Sequence, residues 1–151
     1  MCGGGPKKHG SPAEQALGRS RGGFGTKIHA KVDALGLPLA FILTGGQVHD
    51  VTQASALLAD VTCDFVIADK SYDADPLIAL IDESGAIPVI PPRRNRTTTR
   101  FYDAWLYRER HLIECFFNKI KQFRRIFSRF EKLSSRYLGF LRFVAVLIWL
   151  R

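Results

Sequence analysis

Residues 64–90, DFVIADKSYDADPLIALIDESGAIPVI, decide the fold. Phe65, Val66, Ile67 and Ala68 form a short apolar run between two carboxylates, which predicts a buried strand ending at Asp69. Asp75-Pro76 opens a helix with proline in its first turn, where the missing N–H costs nothing. That helix is predicted to reach Asp82 and stop at Gly85. Residues 87–90 read as another short strand. Strand, helix and strand thus follow one another within 27 residues.

The flanks extend the pattern. Upstream, residues 26–32 alternate, with Ile28, Ala30 and Val32 on one side and Lys27, His29 and Lys31 on the other. This predicts a half-buried strand. Asp33-Ala34-Leu35-Gly36 is a turn, and residues 37–44 return as the second arm of a hairpin. Gly45-Gly46 breaks the chain. Asp50, with Gln53 three residues on, predicts a capping box and a helix through Leu57-Leu58. Downstream, Pro91-Pro92-Arg93-Arg94-Asn95-Arg96 is a stiff basic loop. One long helix is predicted from Ala104 to about Phe130, then an apolar helix over residues 138–150. The order indicates a mixed α/β domain. Residues 1–25, rich in Gly, Ser and basic side chains, read as a flexible lead. The core is expected over 26–133, with 134–151 as a C-terminal helix of the same domain.

Composition narrows the function. The chain has 151 residues, of which 46% are apolar, enough for a folded domain and incompatible with a wholly disordered chain. Charge is unevenly placed. Residues 1–92 carry 7 basic and 10 acidic side chains, whereas residues 93–151 carry 15 and 4. The C-terminal part therefore presents a strongly positive surface that suits a polyanion, although basic helices also serve solubility. Cys2, Cys63 and Cys115 are scattered, without metal-ligand spacing, and fit a reducing cytoplasm. No signal peptide is evident, and the 138–150 segment is too short to span a membrane and is interrupted by Arg142.

The chemistry concentrates on one stripe. Tyr107, Arg110, Glu114 and Lys121 are spaced so that, on a continuous helix, they fall within about 60° of arc. They border an apolar face made by Leu106, Ile113, Phe116, Phe117, Ile120, Phe123 and Phe127. Asp69, at the carboxyl end of a strand, is placed where ligands gather in α/β folds, or else caps the next turn. Glu114 and Arg110 also read as an ordinary i,i+4 ion pair. Brought together, Asp69 and Glu114 repel unless a hard divalent cation joins them, which favours magnesium or manganese. Arg93, Arg94, Arg96, Lys121, Arg124 and Arg125 are candidates for phosphate contacts. His49 is a candidate site neighbour or a surface histidine.

The Tyr107-x2-Arg110-x3-Glu114-x6-Lys121 spacing resembles the Tyr-Arg-Glu-Lys signature of bacterial insertion-sequence transposases of the DDE class. The resemblance extends over Gly18-Arg19-Ser20-Arg21-Gly22-Gly23, Thr26-Lys27-Ile28-His29 and Val32-Asp33-Ala34-Leu35-Gly36-Leu37-Pro38. It continues through Leu43-Thr44-Gly45-Gly46-Gln47-Val48-His49-Asp50, Ala68-Asp69-Lys70-Ser71-Tyr72-Asp73, Ile90-Pro91-Pro92-Arg93 and Phe117-Asn118-Lys119-Ile120-Lys121. It implies a ribonuclease H-like mixed sheet flanked by helices. It also implies two magnesium ions held by three carboxylates, double-stranded DNA as substrate, and a homo-oligomer working at the bacterial nucleoid. Asp69 matches the second Asp, Glu114 the Glu, and Tyr107, Arg110 and Lys121 the accessory positions.

Two departures stand out. Ser71 replaces the usual Gly. The first catalytic Asp and its strand fall upstream of the aligned region, and Asp33 matches a hairpin turn instead. The expectation is a transposase portion that needs an upstream segment for cleavage. The alternative is a non-catalytic DNA-binding, assembly or inhibitory fragment.

Overall fold

The computed structural model describes residue 11, residues 14–59 and residues 61–151. The strand–helix–strand unit forms as its sequence requires. β4 (Phe65–Ile67) and β5 (Ile87–Val89) pair in parallel, with α2 (Asp75–Glu83) crossing between them. Pro76 occupies the first turn of α2, and Gly85 ends it at φ +84°, in the left-handed region. Leu77, Ile78 and Ile81 of α2 pack with Ala86 and Ile90 and with Ala54 of α1 (Ala54–Leu58).

The hairpin also forms. β2 (Gly23–Val32) runs antiparallel to β3 (Pro38–Gly45), with an irregularity at Lys31/Val32. Asp33 shapes its turn by accepting the backbone N–H groups of Leu35 and Leu37, each at 2.9 Å. Ile28, Ala30 and Val32 face a core built from Phe116, Ile120, Ile126, Leu141 and Val144. These residues belong to α3 (His111–Lys121), α4 (Arg124–Phe127) and α5 (Ser134–Trp149). Phe41 of β3 stacks on Phe116, with ring centroids 5.7 Å apart. The C-terminal helix therefore shares one core with the hairpin. No helix among the described residues is long and apolar enough to cross a membrane.

Three expectations are corrected. The predicted lead is structured from residue 14 onward, whereas most of residues 1–13 lie outside the described residues. β1 (Gly18–Ser20) pairs with the start of β2. Gln15 accepts the Ser134 N–H at 3.0 Å, satisfying a free donor at the start of α5. The Arg129 guanidinium bonds Ala16 O at 3.3 Å and the Thr26 hydroxyl. Partners more than a hundred residues away order this segment, and local composition carries no trace of them.

The long helix is broken. A 3₁₀ turn (Leu106–Arg110) precedes α3, and Phe123 is extended at φ −84°, ψ 106° before the single turn of α4. Neither Gly nor Pro causes the break. It lets Ile126 enter the core while Phe127 turns outward, 71% exposed. Phe127 is therefore not a core residue.

The capping box is absent. Asp50 opens a 3₁₀ turn (Asp50–Gln53) without a side-chain cap, and its carboxylate sits 3.0 Å from Lys27 Nζ. Asp50 thus lies inside the turn, with His49 at its N-cap, and its carboxylate serves an ion pair.

A three-stranded sheet, β1-β2-β3, and a two-stranded sheet, β4-β5, make up the strand architecture of the described residues. The molecule is thus a mixed α/β fold.

Candidate active site

β4 ends at Ile67, two residues before Asp69, so the Asp69 carboxylate emerges just after the chain leaves the sheet. It is half-buried and accepts the Ser71 N–H at 2.6 Å, capping the 3₁₀ turn Lys70–Tyr72. The two readings of Asp69 therefore coexist: one oxygen serves the turn, and the residue still stands at a strand's carboxyl end. Ser71 has no positive φ, so glycine is not required in this turn.

The stripe approaches from the other side. Asp103 Oδ1 accepts the N–H groups of Trp105 and Leu106 at 2.8 and 2.9 Å and so starts the 3₁₀ turn carrying Tyr107 and Arg110. An Asp immediately ahead of a helical segment is the sequence signal for such a start. This turn packs against β4. Residues three apart eclipse in a 3₁₀ turn, and the Arg110 guanidinium lies over the Tyr107 ring, 5.8 Å from its centroid. Arg110 Nη2 also donates to Glu114 Oε1 at 2.5 Å. Lys121 is the last residue of α3, exposed, two turns beyond Glu114.

Electrostatics tie the two sides together. Burial raises the Tyr107 pKa above that of an ordinary phenol, Arg110 opposes this, and the charges of Asp69 and Glu114 add to the rise. Among the described residues no third His, Cys, Asp or Glu joins them in a metal-binding group.

A second cluster lies behind Asp69. Tyr72 is pushed up to about 12 by burial, with Asp50 and Asp69 contributing. His29 is buried, bonded to Thr44 Oγ1 at 2.7 Å and 3.8 Å from Asp50. Burial lowers its pKa, which Asp50 opposes and Lys27 reinforces. The alternation of β2 sets His29 off the core face, yet it is buried beside Thr44 and Asp50, which periodicity cannot supply. His49 contributes its carbonyl to the Thr52 hydroxyl at 2.6 Å.

The basic residues divide. Arg93 donates to the carbonyls of Lys70 and Ser71 at 3.3 and 2.7 Å. Arg96 donates to Asp73 and Asp75, both at 2.8 Å. Both candidates for phosphate contacts are engaged within the molecule, with partners that lie more than twenty residues away in the chain. Arg94, Lys121, Arg124 and Arg125 are exposed. A groove of about 360 Å³ between β3 and α5 contains none of these residues.

A family model described as a transposase DDE domain matches residues 4–149. The chain belongs to the DDE-domain transposase family. Within the family it is 46% identical, over 83% of its length, to a Brucella ovis protein named as the transposase of insertion sequence element IS6501, 98% of which is covered. A Burkholderia cepacia protein named as the transposase of element IS402 is 32% identical over 82% of this chain. The chain spans 62% of that second relative. No solved structure matches.

Proposed function

We propose that the chain is a catalytic-domain portion that cleaves and transfers DNA strands at insertion-sequence ends, on a ribonuclease H-like fold, with a third carboxylate supplied from upstream of β1. The observation carrying this reading is the match to a transposase DDE domain over residues 4–149, together with the packing of the Tyr107–Arg110 turn, whose Arg110 holds Glu114, against the strand that leads to Asp69.

The donor set agrees in kind. Asp69 and Glu114 each have one carboxylate oxygen committed, to Ser71 N–H and to Arg110, and the other is free of protein hydrogen bonds among the described residues. Two hard oxygen donors suit Mg2+ or Mn2+, and because no third carboxylate joins them among the described residues, we assign one to a segment upstream of β1. When bound, the ion supplies Lewis-acid polarisation of a phosphodiester and a more acidic water.

The chain's own groups do the rest. Arg110 fixes the Glu114 rotamer through its short charge-assisted bond. Tyr107 stays protonated through neutral pH and so donates a hydrogen bond to a phosphate oxygen instead of acting as a base. Lys121, Arg94, Arg124 and Arg125 neutralise backbone phosphates. The domain is expected to act as a homo-oligomer that brings two DNA ends together.

The test uses duplex DNA spanning the element ends. Affinity is expected to fall steeply with salt, and Lys121→Ala to lower the salt slope by about one. With Mn2+ the chain alone should leave both strands uncut, and supplying the upstream segment should restore cutting that Asp69→Ala abolishes. Salt-insensitive affinity overturns the DNA reading. Efficient cutting by the chain alone, lost in Asp69→Ala, overturns the need for a third carboxylate. Tight binding that never yields cutting, even with the upstream segment, favours a non-catalytic DNA-binding or assembly role.

A further inference from the structure

The loop after β5 carries a pair of arginines held in an unusual way. Asp73 has a side chain only 1% exposed. It accepts the Arg93 N–H at 2.8 Å, Arg96 Nε at 2.8 Å and Arg100 Nη2 at 2.6 Å. These contacts fix both guanidinium groups from the inside. On the outside stands Asp75, 77% exposed. One of its oxygens, Oδ1, accepts Arg96 Nη2 at 2.8 Å and Arg100 Nη2 at 3.2 Å. An anionic oxygen shared by two guanidinium groups is how a phosphate oxygen is held.

The two layers differ in strength. Burial disfavours charge on Asp73, but the hydrogen bonds from Arg96 and Arg93 and the charges of Arg96 and Arg100 outweigh it and hold its pKa below the usual carboxylate range. The inner contacts therefore persist. An exposed pair such as Asp75 with these arginines is weak and easily displaced. Arg96 and Arg100, 18% and 28% exposed, would remain in place when Asp75 swings away.

We propose that Arg96 and Arg100 form a phosphodiester-binding site that Asp75 occupies in the free protein, so that Asp75 competes with the DNA backbone and weakens binding. The ligand class rests on the DNA reading above. The arrangement itself rests on the pair and its exposed carboxylate. Asp75 thereby acts as a built-in competitor beside the turn that carries Asp69.

The test compares wild type, Asp75→Ala, Asp75→Asn and Asp82→Ala, with duplex DNA and inorganic pyrophosphate as separate probes. Asp82 is an exposed carboxylate on the same helix and controls for net charge. Asp75→Ala and Asp75→Asn should bind both probes about threefold to tenfold more tightly, with a steeper salt dependence for DNA. Asp82→Ala should match wild type. Adding Arg100→Gln to Asp75→Ala should remove the gain. Unchanged or weaker pyrophosphate binding by both Asp75 variants overturns the site, as does an equal gain in Asp82→Ala. A gain for pyrophosphate with no DNA binding by any variant leaves the site standing and overturns the DNA reading alone.

Discussion

Asp73 is the residue on which the site-bearing turn and the basic loop both depend. Its two oxygens accept three donors from residues 20 to 27 positions away. Removing it leaves Arg96 and Arg100 without their inner partner and the Arg93 N–H without its acceptor. Asp73→Ala should therefore lower the urea midpoint markedly, whereas Asp75→Ala, at an exposed pair, should shift it little. The pH dependence has a definite sign. The folded pKa of Asp73 lies below its ordinary value of 3.8, so the fold binds fewer protons than the unfolded chain. The stabilisation is complete above the unfolded pKa and is lost as pH falls through the folded one. Denaturation followed from pH 6 to pH 2 should show this acid limb in wild type and a flatter one in Asp73→Ala. An identical acid limb in both would contradict the assignment.

At the scale of elements, β4, α2 and β5 were legible because each carries a local mark: an apolar run, a proline in the first turn, a closing glycine. The hairpin was legible from its period of two and its Asp-initiated turn. What the sequence did not disclose depended on distant partners. Gln15 and Arg129 order the segment before β2, Lys27 pairs with Asp50, and packing of Ile126 breaks the helix at Phe123. The candidate site was legible in part. The turn carrying Tyr107 and Arg110 packs against β4 and Arg110 pairs with Glu114 as their spacing suggests, but the engagement of Arg93 and Arg96 by the 70–75 turn needed the tertiary structure. Gly85 gives a clean test of a local mark. Its φ is +84° and a Cβ there would meet nothing within 4 Å. Gly85→Ala should cost about 1 kcal/mol through backbone conformation alone, read as a shift in thermal midpoint. No shift would mean the left-handed residue does not limit α2.

Across the whole molecule, β4 pairs only with β5, and residues 26–32 of β2 pair only with β3, among the described residues. Unpaired strand edges invite association. Exposed Phe143, Val146, Trp149 and Leu150 on or beside α5 add apolar surface. The isolated chain should therefore associate as concentration rises, visible as growing mass in sedimentation velocity. A monomer at high concentration with one sharp, cooperative melt would contradict this. The central claim is that Asp69 and Glu114, from separate elements, form one cation site. Manganese binding followed by electron paramagnetic resonance tests it directly. Wild type should bind Mn2+ weakly, and Asp69→Asn and Glu114→Gln should each lower that affinity about tenfold, with the double variant no worse than either single one. Wild-type affinity in either single variant would show that the two carboxylates do not share an ion.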